Sequence, residues 1–182
     1  MPAQTEYTDP ELLNLLKDHK EEAIDILFRR YYRYVCKSAY RIIPDGNLVE
    51  DLAQDVFFEL WKKRDQLNIN TSVKAYLKRA VINKALNYIR DKKMKFDDHE
   101  KFPEAISKGA SAQEIMEESE MEKVIHAAID RLPERCRIVF CLSRFEEMTY
   151  QQIADKLDIS IKTVENQISK ALKYLRSELR KP

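Results

Sequence analysis

Lys162, Thr163, Glu165, Asn166, Ser169, Lys170 and Lys173 fall on one side of a helical repeat, and their polar groups can meet base edges and phosphates. On the other side Ile161, Val164, Ile168, Leu172 and Leu175 advance by three, four, four and three residues, the signature of one buried helix face. Just before them, Ile153, Ala154 and Leu157 mark a short helix, with Ile159 in the corner between the two. The segment from Thr149 to Arg176 therefore reads as a helix-turn-helix, an element that pushes its second helix into the major groove of duplex DNA. Thr149, Tyr150 and Ser160, at the two helix starts, are further candidates for gripping DNA. The chemistry is recognition, not bond making.

A second constellation lies upstream, in Val49–Trp61. Leu52, Val56 and Leu60 repeat every four residues, with Ala53 and Phe57 beside them, and make a core stripe. Asp51, Gln54, Asp55 and Phe58 share the other side of that helix. An aromatic on an acidic, solvent-directed face has two readings: it tucks under a neighbouring helix, or the face docks on a partner. A third segment, Thr71–Arg90, interleaves basic residues with aromatics and amides. Its Tyr76, Lys78, Arg79, Asn83, Asn87 and Arg90 suit the backbone and exposed bases of a separated strand. The same block is also readable as a solvated basic helix with Tyr76 and Tyr88 half-buried.

The net charge of +1 over 182 residues conceals segregation. Residues 71–95 carry eight Lys/Arg against one acid, residues 96–122 nine acids against two Lys, and residues 160–182 six Lys/Arg against two acids. Two basic blocks flanking an acidic one suit two anionic contacts with a spacer between them. Two glycines in the whole chain argue against phosphate-cradling loops and Rossmann turns. Cys36, Cys136 and Cys141 form no CxxC and read as buried free thiols. His19, His99 and His126 are scattered without ligand spacing, so neither a metal site nor a cofactor is expected. No nucleophile–base set appears, and no catalysis is expected. No window approaches the ~18 apolar residues of a membrane span, and the N-terminus lacks a signal-peptide stretch, so a soluble, cytoplasmic protein is expected.

The elements that must position these residues are nearly all helical. Periodicity and capping signals predict helices at about 9–18, 21–43, 48–65, 71–93, 112–131, 133–145, 149–157 and 160–179. Thr8-Asp9-Pro10-Glu11 places a cap before a proline at the first helical position, and Asn47 with Glu50, Ser111 with Glu114, and Thr149 with Gln152 have capping-box spacing or a close variant of it. Asp158 stands at the corner where a left-handed residue is needed, and aspartate tolerates that conformation better than most. The expected fold is all-α: two small helical domains, about 8–93 and 112–180, joined by a flexible linker over 94–111.

These motifs together resemble the extracytoplasmic-function sigma factors, the compact branch of the sigma-70 family that gives bacterial RNA polymerase its promoter choice. The family pattern E-D-L-x-Q-[DE]-x-F-x-x-[LA]-W stands here as Glu50 through Trp61. The resemblance implies that Asp51, Gln54, Asp55, Phe58 and Trp61 bind the clamp region of the core polymerase. Ile82–Arg90 is similar to the family's R-N-x-A-x-D-x-x-R, keeping Asn83, Ala85 and Arg90 but with Ile82 for the arginine and Asn87 for the aspartate. That helix is implied to melt and read the −10 promoter element. Leu132-Pro133 with Arg137, Val139 and Phe140, and the helix-turn-helix after them, are similar to the part that reads the −35 element as duplex. The resemblance also implies promoter DNA and an anti-sigma factor as partners, with no small-molecule substrate and no insertion into a membrane. Two rival readings use the residues alone: a LuxR-like helix-turn-helix regulator binding duplex operators as a dimer, and an all-helical adaptor acting through protein contacts.

Overall fold

The computed structural model describes residues 7–92 and 120–180, and for residues 120–123 the backbone alone. Eight α-helices are described: α1 (Asp9–Lys17), α2 (Glu21–Tyr40), α3 (Gly46–Lys62), α4 (Val73–Asp91), α5 (Glu120–Asp130), α6 (Glu134–Arg144), α7 (Tyr150–Leu157) and α8 (Ile161–Glu178). A 3-10 turn at Arg64–Gln66 follows α3, and no strand occurs among the described residues. The chain divides into two compact units, Met1–Ala85 and Leu86–Pro182, and α4 runs continuously through the division. The linker expected over 94–111, and the cap expected at Ser111 and Glu114, lie outside the described residues.

In the first unit α1 packs on α2 and on the 3-10 turn, and α2 packs on α3. Thr8 and Glu11 form the capping box that starts α1. Asp9 then ties this helix down, accepting from Arg30 Nη1 at 2.7 Å and from the Tyr31 hydroxyl at 2.6 Å. Burial pushes the Tyr31 phenol up from its ordinary pKa, and the Asp9 contact adds to the rise. Phe28 is the hinge of the α2–α3 packing: it stacks on Tyr32 at 4.5 Å between centroids and meets Phe57 edge-on at 5.0 Å. Leu12, Leu16, Leu27, Leu52, Val56 and Leu60 complete the core around it.

Several boundaries differ from the sequence expectation: α3 ends at Lys62 instead of 65, and α4 runs over Val73–Asp91 instead of 71–93. α2 ends at Tyr40 instead of 43, and Ile42 and Ile43 are buried beyond its last turn. α3 begins at Gly46, with Asp45 as its cap: Asp45 Oδ1 accepts the Leu48 N–H at 3.2 Å, so Asn47 is already helical. Asp45 wins because its carboxylate also meets the positive end of the helix dipole. Of the three cysteines, Cys136 and Cys141 are buried thiols, whereas Cys36 is only half-buried.

In the second unit α6 is central. Every residue from Cys136 to Leu142 is buried, as a helix surrounded on all sides requires. α8 packs on α5, α6 and α7. Arg137 is buried too, and its Nη1 donates to the Asp130 carbonyl at 3.3 Å, at the end of α5 where a cation suits the dipole. The buried face of α8 is rotated from the expected one. It comprises Val164, Gln167, Ile168, Ala171 and Leu175, whereas Ile161 and Leu172 are 41% and 40% exposed. At ~100° per residue those two lie roughly 60–80° off the axis through Val164, Ala171 and Leu175. Gln167 occupies the opposite flank because the Cys136 thiol donates to its amide oxygen at 3.0 Å, which meets the need of a buried amide. No helix among the described residues is long and apolar enough to cross a membrane.

Asp158 adopts the left-handed conformation, φ 55° and ψ 50°, at the end of α7. A side chain at such a position costs about 1 kcal/mol relative to glycine. Asp158→Gly is therefore expected to raise the thermal midpoint of the second unit by roughly 4–8 °C, read by calorimetry of the full chain.

Candidate functional site

The α3 face resolves one open reading directly. Phe57 is buried against Phe28, which turns the next side chain, one residue and ~100° on, away from the core. Phe58 is 63% exposed, with Asp51, Gln54 and Asp55 exposed around it. Among the described residues it tucks under no neighbouring helix. Phe58 instead walls an open cleft of about 540 Å³ that is also lined by Asp55, Glu59, Lys62, Lys63 and Gln66. Trp61 is half-buried. The Arg64 guanidinium lies 4.4 Å from its ring centroid, and Arg64 Nη1 donates to the Trp61 carbonyl at 2.8 Å. The same guanidinium reaches His19 Nδ1 through Nε at 2.9 Å, while His19 Nε2 stands 3.3 Å from Asp65. His19, left-handed at φ 58°, thereby ties the end of α1 to the turn that follows α3.

Two residues absent from the sequence expectation hold this region together. Lys84 of α4 places its ammonium 2.7 Å from Glu59 Oε1 and 3.4 Å from Asp55 Oδ2. Glu59 also receives Lys63 at 3.1 Å. The hydrogen bond from Lys84, then that from Lys63, lowers the Glu59 pKa. Burial alone would lower the Lys84 pKa, but the hydrogen bond and charge of Glu59, with Asp55 behind them, outweigh it and raise the value. Asp55 therefore has two roles on one carboxylate: it lies on the exposed α3 face and also touches α4. The Glu59–Lys63 spacing was legible as an i,i+4 pair. Lys84, 25 residues from Glu59 in sequence, carried no local signal.

Along α4, steps of three, four, four and three put Tyr76, Arg79, Asn83, Asn87 and Arg90 on one stripe. Arg79, Asn87 and Arg90 are exposed, and Tyr76 and Asn83 are half-buried. Lys78 does not join them: it is half-buried, and at ~100° per residue it faces another side of the helix. Tyr88 is half-buried with Lys92 4.7 Å from its ring centroid.

The helix-turn-helix is α7 and α8. The hydroxyl of Thr149 accepts the Gln152 N–H at 3.2 Å, and Gln152 Oε1 accepts the Thr149 N–H at 2.9 Å, so the expected capping box is present. Ser160 starts α8, its Oγ accepting from the Thr163 N–H at 3.0 Å and lying 2.9 Å from Thr163 Oγ1. Outward from that cap, Lys162, Glu165 and Ser169 are exposed, and Thr163, Asn166, Lys170 and Tyr150 are half-buried. Lys162 pairs with Glu165 at 3.3 Å in a solvent-exposed contact of the kind worth little to stability. A long helix with an outer row of Lys, Thr, Asn and Ser, set by a short helix and a left-handed corner, defines a DNA-binding protein of the helix-turn-helix class.

Comparison with known proteins narrows the class. The family model Sigma-70 region 2 matches residues 27–94, and Sigma-70, region 4 matches residues 122–175, together about two thirds of the chain. The RNA polymerase sigma-H factor of Pseudomonas aeruginosa is 25% identical over 176 residues, spanning 92% of this chain and 91% of that one. The ECF RNA polymerase sigma-E factor of Escherichia coli K12 is 25% identical over 175 residues, 91% of each chain. Among solved structures, CnrH in complex with the cytosolic domain of CnrY aligns at 20% identity and a TM-score of 0.48, over 94% of this chain and 96% of that one. The sigma factor RpoE of Bartonella quintana, in complex with the anti-sigma factor NepR, aligns at 20% identity and 0.47, over 90% and 98%. The chain belongs to the sigma-70 family of RNA polymerase sigma factors, in its extracytoplasmic-function branch.

The lowered Glu59 pKa has a sign. Its ion pair stabilises the folded chain above about pH 4.5, the ordinary glutamate value, and that contribution disappears as pH falls through the lowered one. In urea unfolding the stability gap between the native chain and Glu59→Gln is expected to be widest above pH 4.5 and to close in more acidic buffer.

Proposed function

We propose that this sigma factor engages core RNA polymerase through the exposed α3 face, with Asp51, Gln54, Asp55 and Phe58 as contacts and Trp61 at its edge. The observation that carries the reading is Phe58, an exposed aromatic beside Asp51 and Asp55 that walls an open cleft. Such a face offers a large apolar anchor and charge complementary to a basic clamp surface. Once docked, the outer stripe of α4 addresses the −10 element. Arg79 and Arg90 hold phosphates there, and Tyr76, Asn83 and Asn87 meet bases that have left the stack. The outer row of α8 reads the −35 element as duplex through Lys162, Thr163, Asn166, Ser169 and Lys170, with Thr149, Tyr150 and Ser160 near the backbone.

The two readers work as a pair. Each alone gains mostly sequence-independent phosphate attraction. Polymerase fixes their separation, so that the second contact becomes an intramolecular event at high effective concentration. We assign residues 8–93 to polymerase and −10 binding, 94–111 to a linker, and 112–180 to −35 binding. The chain itself breaks no bond and is not an enzyme; it acts in the cytoplasm, where the polymerase and promoter are. An anti-sigma factor is a further expected partner, one that would withhold the chain from polymerase.

The test mixes the full chain with core polymerase and a promoter recovered by selection with the reconstituted holoenzyme. Asp51→Ala with Asp55→Ala, and separately Phe58→Ala, are expected to weaken capture by core polymerase about tenfold or more, with helical content unchanged. Retained capture in both would remove the proposed docking face. Asn166→Ala is expected to cost ~1–3 kcal/mol of discrimination at one −35 position, read by competition between single-base variants. Unaided, dimeric binding to a palindromic duplex would instead mark an ordinary operator-binding regulator.

A further inference from the structure

Val73, Leu77, Val81 and Ala85 of α4 are fully buried, so this helix is held to the first unit by an apolar face. The close backbone packings of that unit are α1 on α2, α1 on the 3-10 turn and α2 on α3, which leaves α4 held mainly through side chains. Apolar burial is non-directional. The rotation and height of α4 need an interaction with a preferred distance and angle, and Lys84 supplies one. At ~100° per residue, Lys84 falls about 100° from Asn83 and about 60° from Asn87, on the border between the apolar face and the stripe assigned to the −10 element. Its ammonium spans Glu59 at 2.7 Å and Asp55 at 3.4 Å, two acids four residues apart on α3. Four residues are about 6 Å of helix rise. A slide of either helix by one turn therefore breaks the bridge, and so does a roll of α4 about its axis.

Stability alone does not account for this arrangement. The Glu59 and Asp55 side chains are 44% and 64% exposed, and pairs made with acids so exposed are worth little. An apolar residue at 84 would hold α4 to α3 as well, because replacing a shielded ion pair by packed apolar groups is often neutral or stabilising. What a charged bridge adds is register, since hydrogen bonds between ionised groups are short and directional. Asp55 adds a second consequence. It belongs to the face proposed to dock on polymerase, and its contact with Lys84 is the longer of the two. A basic group of the partner that claims Asp55 leaves Lys84 on Glu59. The tie between the docking helix and the reading helix thus survives docking.

The geometry points to Lys84 as a positioning residue for promoter opening. Bridged to Glu59 and Asp55, it sets the angle and height at which α4 presents Tyr76, Asn83 and Asn87 to the strand once α3 is docked. It acts through those side chains and touches neither polymerase nor DNA itself. This role rests on the proposed readings of α3 and α4, and it adds a residue that neither of them contains.

The experiment uses the full chain with core polymerase and a promoter carrying a fluorescent base analogue in the −10 element. Opening is read at saturating chain, separately from affinity for core polymerase. Lys84→Met keeps most of the apolar stem and removes the charge. It is expected to slow opening about tenfold, the order of one lost hydrogen bond to a charged group, with affinity for core polymerase unchanged. Glu59→Gln should slow opening likewise, and the double variant no more than either single one, because the same bridge is broken in all three. Lys84→Arg, whose fork can meet both carboxylates, should restore most of the rate. Native opening by Lys84→Met, additive losses in the double variant, or no rescue by Lys84→Arg overturns the assignment. Affinity for core polymerase that falls in proportion to opening overturns it too and marks a merely structural role. The two underlying readings fail differently. Native opening by Asn83→Ala with Asn87→Ala removes the −10 reading of α4, and retained capture in the docking-face variants removes that of α3, whatever the Lys84 variants do.

Discussion

Two adjacent phenylalanines on α3 divide inside from outside. A helix turns about 100° per residue, so a chain that buries Phe57 must show Phe58 to a different neighbour. Here Phe57 closes on Phe28, and Leu52, Val56 and Leu60 line up beneath it. Asp51, Gln54, Asp55 and Phe58 then have nowhere to go but outward. Burying the core stripe is worth ~1.5–3 kcal/mol per large apolar side chain, which is what makes the exposed aromatic tolerable. The docking face is therefore a consequence of the core, and the face cannot be rotated without dismantling the core.

The second organising feature is electrostatic. Lys84 gives α4 a charged foothold on α3 at Glu59 and Asp55. With the Lys84 side chain only 22% exposed, the arrangement is better shielded than a surface pair, and truncating the lysine would leave Glu59 with Lys63 alone. Asp55 is the more exposed of the two acids, at 64%, and the longer contact. It is consequently the carboxylate that a basic partner can claim while Glu59 keeps α4 in place.

The second unit reaches its geometry by other means. Its turn depends on an aspartate in a left-handed conformation and on two hydroxyl caps, Thr149 and Ser160, that start α7 and α8. Those local signals were readable in the sequence, because capping and left-handed tolerance are properties of single residues and their near neighbours. The rotation of α8 was not. Ile161 and Leu172 belong to an apolar repeat as regular as any in the chain, yet Gln167 and Ala171 take the buried positions. A thiol on α6, 31 residues away, satisfies the glutamine amide, and no periodicity in α8 can announce a donor on another helix.

The amino-acid sequence alone marked the helices, the caps at Thr8 and Thr149, the all-α class and the motifs that resemble the family, because these rest on residue types at short spacings. It also marked Asp51, Gln54, Asp55 and Phe58 as sharing one face, and left open whether that face was covered. Tertiary packing decided that it is not. Packing also joined Lys84 to Glu59, tied His19 to Arg64, and brought Lys74 over the Tyr34 ring. The reason is physical: a helix's periodicity follows from its own backbone, but which of its sides meets a neighbour depends on contacts between residues far apart in the chain.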